Sequence, residues 1–72
     1  MALFEHIQIL KRFDVLIRLE NTGTANEIAK LLEISRRTVF TYIEELESFG
    51  AEIAYNKISK TFYYTQKFTL KF

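Results

Sequence analysis

Two adjacent guanidinium groups, Arg36 and Arg37, directly follow Ser35, and two ammonium groups, Lys57 and Lys60, flank a short polar stretch between Asn56 and Thr61. A guanidinium is a rigid fork of N–H donors that matches paired acceptors, such as phosphate oxygens or the O6/N7 edge of guanine. A lysine is a mobile point charge suited to phosphate. Thr38 and Thr41 add hydroxyls beside the arginines, and Phe40 adds a ring that can touch a thymine methyl. The residues that carry out bond-making chemistry are scarce. There is no cysteine, His6 is the only histidine and Asp14 the only aspartate. No serine, histidine and acid constellation or glycine-rich phosphate loop is present, so the expectation is a chain that catalyses nothing and holds no cofactor or metal.

The elements that position these groups follow from periodicity. Leu3, Ile7, Leu10, Phe13, Leu16 and Ile17 recur in steps of three and four, which predicts an amphipathic helix over about 3–20. Asn21, Thr22 and Gly23 interrupt it. Thr24 with Glu27 three residues on has the capping-box spacing and opens a second helix, about 25–32, with Ile28, Ala29, Leu31 and Leu32 as its apolar face. Ser35 is a favourable N-cap for a third helix, about 36–49, burying Val39, Ile43 and Leu46. Opposite that face lie Arg37, Thr41, Glu44 and Ser48. Gly50 suits a left-handed helix end, and the period then changes to two. Ile53 and Tyr55, then Phe62 and Tyr64, alternate around the turn at Asn56 to Lys60, which predicts a hairpin over about 52–65. Phe68, Leu70 and Phe72 keep the same parity as Phe62 and Tyr64 and suggest a further strand over 67–72 or an extension of the second.

Seventy-two residues make one domain, and a core that small has marginal stability. With 49% hydrophobic and 26% charged residues the composition is that of an ordinary globular chain. No run approaches the roughly 18 apolar residues of a membrane span, and no signal-peptide pattern opens the chain, so a cytoplasmic location is expected. The net charge of +1 is unevenly spread. Through Phe49 six basic residues face eight acids, a balance of −2; from Gly50 onward four lysines face Glu52 alone, a balance of +3. Such a split marks either a nucleic-acid-facing end or lysine-guarded strand edges.

Two helices joined by a tight turn, the second opened by a serine and followed by a basic hairpin, is a winged helix-turn-helix plan, an α+β fold. The stretch from Ala25 to Leu46, with Ile34-Ser35-Arg36-Arg37-Thr38-Val39 at its centre, resembles the winged domains of DeoR-type and biotin-repressor-type bacterial transcription regulators. Gly50 to Tyr55 and Phe62 to Tyr64 resemble the strands of their wing. The resemblance implies double-stranded DNA as partner, contacted through Ser35, Arg36, Arg37, Thr38, Phe40, Thr41, Lys57 and Lys60. This chain has Glu33 where those families often have a turn glycine, Phe40 and Thr41 where they carry arginines, and Lys60 and Thr61 in place of a Gly-Gly pair. No small-molecule effector site is evident. The apolar ends, Leu3, Phe4, Ile7, Ile9 and Leu10 with Phe68, Leu70 and Phe72, exceed what a small core needs and predict a homodimer; the rival account is that both ends fold back onto the same three-helix core and enlarge it. The alternative from a different class is a winged helix used only for protein–protein contact, which the acidic second half of helix three favours.

Overall fold

The computed structural model describes residues 3–70, and the side chains of 5–70. Three helices, α1 (Leu3–Arg18), α2 (Ala25–Leu32) and α3 (Arg36–Ser48), precede an antiparallel hairpin of β1 (Ile53–Asn56) and β2 (Thr61–Tyr64). Ile53 lies opposite Tyr64 and Asn56 opposite Thr61. This is the winged helix-turn-helix architecture. None of the described helices is long and apolar enough to cross a membrane.

Each helix starts and stops for a local chemical reason. At α2, Thr24 Oγ1 accepts from the Glu27 amide at 3.2 Å while Glu27 Oε1 accepts from the Thr24 amide at 2.9 Å, a reciprocal box that satisfies two otherwise free donors. Those bonds with Thr24 hold the Glu27 carboxyl below the ordinary carboxylate range, helped by the nearby positive charges of Lys60 and Lys30. At α3, Ser35 Oγ accepts from the Thr38 amide at 3.1 Å. The three C-terminal ends share one pattern. Asn21 donates to the Leu16 carbonyl, Ile34 to that of Ala29 and Ala51 to that of Leu46, each around a left-handed residue. Those residues are Glu20 (φ 52), Glu33 (φ 58) and Gly50 (φ 105). Glutamate in this conformation costs about 1 kcal/mol, so Glu33 takes the glycine-like turn that separates α2 from α3 without being glycine. Glu20 and Phe49, expected as the last helical residues, lie just past the ends of α1 and α3 for the same reason.

The helices converge on Leu10, Phe13, Ile17, Ile28, Val39 and Leu46, all fully buried, with Phe62 of β2 closing the core. Phe13 and Phe62 meet edge-on at 6.5 Å. The wing is anchored by polar contacts as well. Thr22 in the α1–α2 loop and Thr61 are both buried, their hydroxyls 3.1 Å apart, and Thr22 Oγ1 accepts from the Phe62 amide at 2.9 Å. Asp14, only 4% exposed, accepts from the Tyr64 hydroxyl at 2.6 Å and pairs with Arg18 at 3.1 Å. Burial, and then this bond to a carboxylate, push the Tyr64 hydroxyl well above the usual tyrosine range.

Two expectations about the chain ends change. Residues 67–70 form no strand: after the Thr65 amide donates to Glu52, the chain leaves the hairpin. Phe68 then packs against Tyr64 at 5.2 Å, and both Phe68 and Leu70 are partly buried on the core. Ile9 packs there too and Leu10 is fully buried, so these residues enlarge the chain's own core rather than supply a free apolar face. The side chains of Leu3 and Phe4, and Phe72, lie outside the described residues. What α1, the turn after it and α2 leave exposed is a different set: Val15, Leu19 and Leu31.

Candidate nucleic-acid interface

The eight residues singled out in the sequence fall on the first half of α3 and on the wing. Ser35 caps α3, and its hydroxyl also bonds that of Thr38 at 2.8 Å, so both are exposed or half-exposed polar groups tied to each other. Arg36 is exposed on the wing side of the helix with its guanidinium 5.1 Å from the centre of the Phe40 ring. That stacking fixes a flexible side chain while leaving its N–H edge open. Arg37 and Thr41 project from the exposed face one turn apart, and the Thr41 hydroxyl donates to the Arg37 carbonyl at 3.3 Å. Phe40 is 40% exposed and edge-on to Phe62 at 6.4 Å, which places it between α3 and the wing. It is partly a packing residue and partly surface.

Lys57 and Lys60 both stand in the exposed turn between β1 and β2. Lys60 takes a left-handed conformation (φ 54) to close the turn, at the place where a glycine was expected from the resemblance. Among the described residues none of Arg36, Arg37, Lys57 and Lys60 forms an ion pair. The first turn of α2, the first half of α3 and the base of the wing border one open cleft of about 320 Å³, lined by Thr24, Asn26, Arg36, Phe40, Tyr55 and Phe62. Asn26 and Tyr55 were not anticipated. Asn26 lies in the first turn of α2 and Tyr55 on β1, and the packing of α2 and of the wing around α3 brings them beside Arg36.

The opposite flank of α3 is closed by structure. His6 Nε2 lies 2.8 and 3.0 Å from the two carboxylate oxygens of Glu45, and its ring meets Tyr42 edge-on at 5.1 Å. His6 is half-buried and ties α1 to α3. Glu45 therefore faces α1, and of the α3 acids Glu44 and Glu47 remain exposed. No cluster of His, Cys, Asp and Glu fit to hold a metal ion occurs among the described residues.

A helix-turn-helix family model, described as an HTH domain, matches residues 6–58, which spans the three helices, β1 and half of the wing turn. Comparison with curated proteins and with solved structures gives no match for this chain. The match over most of the chain, on the fold described above, means that this protein belongs to the HTH domain family.

Proposed function

We propose that this chain is a sequence-specific double-stranded DNA-binding protein acting in the cytoplasm as a transcription regulator or as an accessory DNA-binding factor in recombination or mobile DNA, related in design to DeoR-type and biotin-repressor-type winged domains. The single observation that carries the reading is the set of four cations on the first half of α3 and the adjoining wing that form no ion pair among the described residues. A recognition helix enters the major groove with its N-terminal residues forward. In that pose Arg37, on the face opposite the core, reads a guanine edge, and Arg36, stacked on Phe40, grips phosphate. Ser35 and Thr38 offer hydroxyls to the backbone, Thr41 and Phe40 reach thymine methyl groups, and Lys57 and Lys60 neutralise neighbouring phosphates.

A pair of copies on a two-fold site completes the proposal, since one recognition helix reads only a few base pairs. The surface for such a pair is the exposed Val15 of α1 and Leu31 of α2, which border one open cleft with Lys11 and Arg12. Selection of binding sites from a random duplex pool, with the intact protein and with Arg37→Ala, tests the function. An enriched, two-fold symmetric sequence whose preference relaxes in the variant is the expected result. A pool that stays random points instead to the protein-contact reading, which the exposed acids Glu44 and Glu47 on the second half of α3 favour.

A further inference from the structure

The cleft between α2, α3 and the base of the wing has a lining that a grip on phosphate does not use. Its volume of about 320 Å³ falls at the lower end of the roughly 300–1,000 Å³ of sites that hold small molecules. Three of its residues are aromatic. Phe62, 6% exposed, forms the floor, and Phe40 and Tyr55, 40% and 36% exposed, stand against it with ring centres 6.4 and 4.9 Å away. A phosphate needs no such wall, whereas a flat apolar ligand would cover rings left this open to water. The polar part of the lining is of one sign. Arg36 is its only charged residue, held over the Phe40 ring at 5.1 Å. The Arg36 guanidinium, the Asn26 side-chain amide and the Tyr55 hydroxyl have no hydrogen-bond partner among the described residues. Glu27, next to Asn26 in the chain, does not line the cleft and already accepts from the Thr24 amide. The sequence alone shows no effector site because these groups come from three separate elements.

We propose that this cleft binds a small planar aromatic carboxylate, and that the bound acid competes with DNA for Arg36; the competition rests on the DNA-binding reading above. The ring lies over Phe62 between Phe40 and Tyr55, the carboxylate takes the open N–H edge of Arg36, and Asn26 and Tyr55 donate to its remaining lone pairs. Carboxylate and phosphate both match the guanidinium fork, so one excludes the other at Arg36. Ring and charge are both required. An anion without a ring leaves the aromatic walls wet, and a neutral arene leaves the guanidinium without its acceptor.

The test titrates the full chain with 2-naphthoate in the absence of DNA, following backbone amide resonances. Saturable shifts confined to the first turns of α2 and α3 and to β1 are expected. Inorganic phosphate, which lacks the ring, and 2-naphthylmethanol, which lacks the charge, should each bind at least about tenfold more weakly. Asn26→Asp sets a carboxylate in the cleft at a helix N-terminus, where a negative charge is tolerated, so the variant should fold as the parent does and lose naphthoate binding. In a second titration, naphthoate at about nine times its Kd should weaken duplex binding by the parent about tenfold, as pure competition requires. Shifts that do not saturate, or equal binding by parent and Asn26→Asp, overturn the site. Saturable binding that leaves the duplex affinity unchanged overturns the competition. If the parent binds no duplex at low salt, the DNA-binding reading and the competition fall together, while the titration without DNA still decides the cleft.

Discussion

The two flanks of α3 treat charge in opposite ways. Toward α1, Glu45 is held by His6, and on α1 itself Asp14 is held by both Arg18 and Tyr64. Toward the wing, Arg36 is stacked on Phe40, while Arg37, Lys57 and Lys60 form no ion pair among the described residues. A buried carboxylate is tolerable only when its oxygens are satisfied, so the α1 flank spends its charges on holding the fold together. Cations left on an exposed helix face and a turn contribute little to stability, because solvent screens them. The contrast separates residues whose loss should unfold the molecule from residues whose loss should change only what it binds.

Phe62 is where the two flanks meet, and its loss gives the largest effect. It contacts Phe13 in the core and both Phe40 and Tyr55 at the interface. Phe62→Ala should cost about 3–5 kcal/mol, enough to unfold much of so small a domain at room temperature, as read by urea denaturation. Asp14→Ala comes next. It strands the half-buried Tyr64 hydroxyl and releases Arg18, for about 1–3 kcal/mol and a Tm lower by on the order of 10 °C. DNA affinity per folded molecule should not change; if it does, the two flanks are not separate. Arg37→Ala should show the reverse, with Tm unchanged and about 1–3 kcal/mol lost on the preferred site if its contact is bidentate.

The smallest effects sharpen the comparison most. Glu33 and Lys60 share a left-handed conformation (φ 58 and 54) that glycine adopts without strain. Glu33→Gly and Lys60→Gly should each stabilise by about 0.5–1 kcal/mol in thermal melts. Only Lys60→Gly should also weaken DNA binding, because only Lys60 lies on the cationic flank. Equal binding by both variants would remove the wing lysine from the interface.

How far the sequence foretold this molecule depends on the range of the signal. The starts of α2 and α3 were legible because Thr24, Glu27 and Ser35 act within a single turn. The end of α2 at Leu32 was legible too, because Glu33 stands at the turn-glycine position; the end of α1 was not, since nothing in Glu20 announces a left-handed conformation, and the bond from the Asn21 amide back to Leu16 imposes it. The pairing of His6 with Glu45 joins positions 39 apart and leaves no local trace. Alternating Phe68 and Leu70 read as a strand, yet the same spacing serves an irregular tail that packs onto the core. At the interface, Arg36 and Arg37 stood out by type and position. Asn26 and Tyr55 did not, because they join the cleft only through tertiary packing.

The central claim is that the free cations of α3 and the wing meet phosphate. Titration of the chain with random duplex DNA across a range of salt concentrations tests it most directly, because each neutralised phosphate contributes about −0.9 to the slope of log K against log salt. A slope of roughly −3 to −4 is expected from Arg36, Lys57 and Lys60 with or without Arg37, falling by up to about two units when Lys57 and Lys60 are both changed to Gln. Absence of binding at low salt, or binding whose slope is the same in the double variant, would contradict the account.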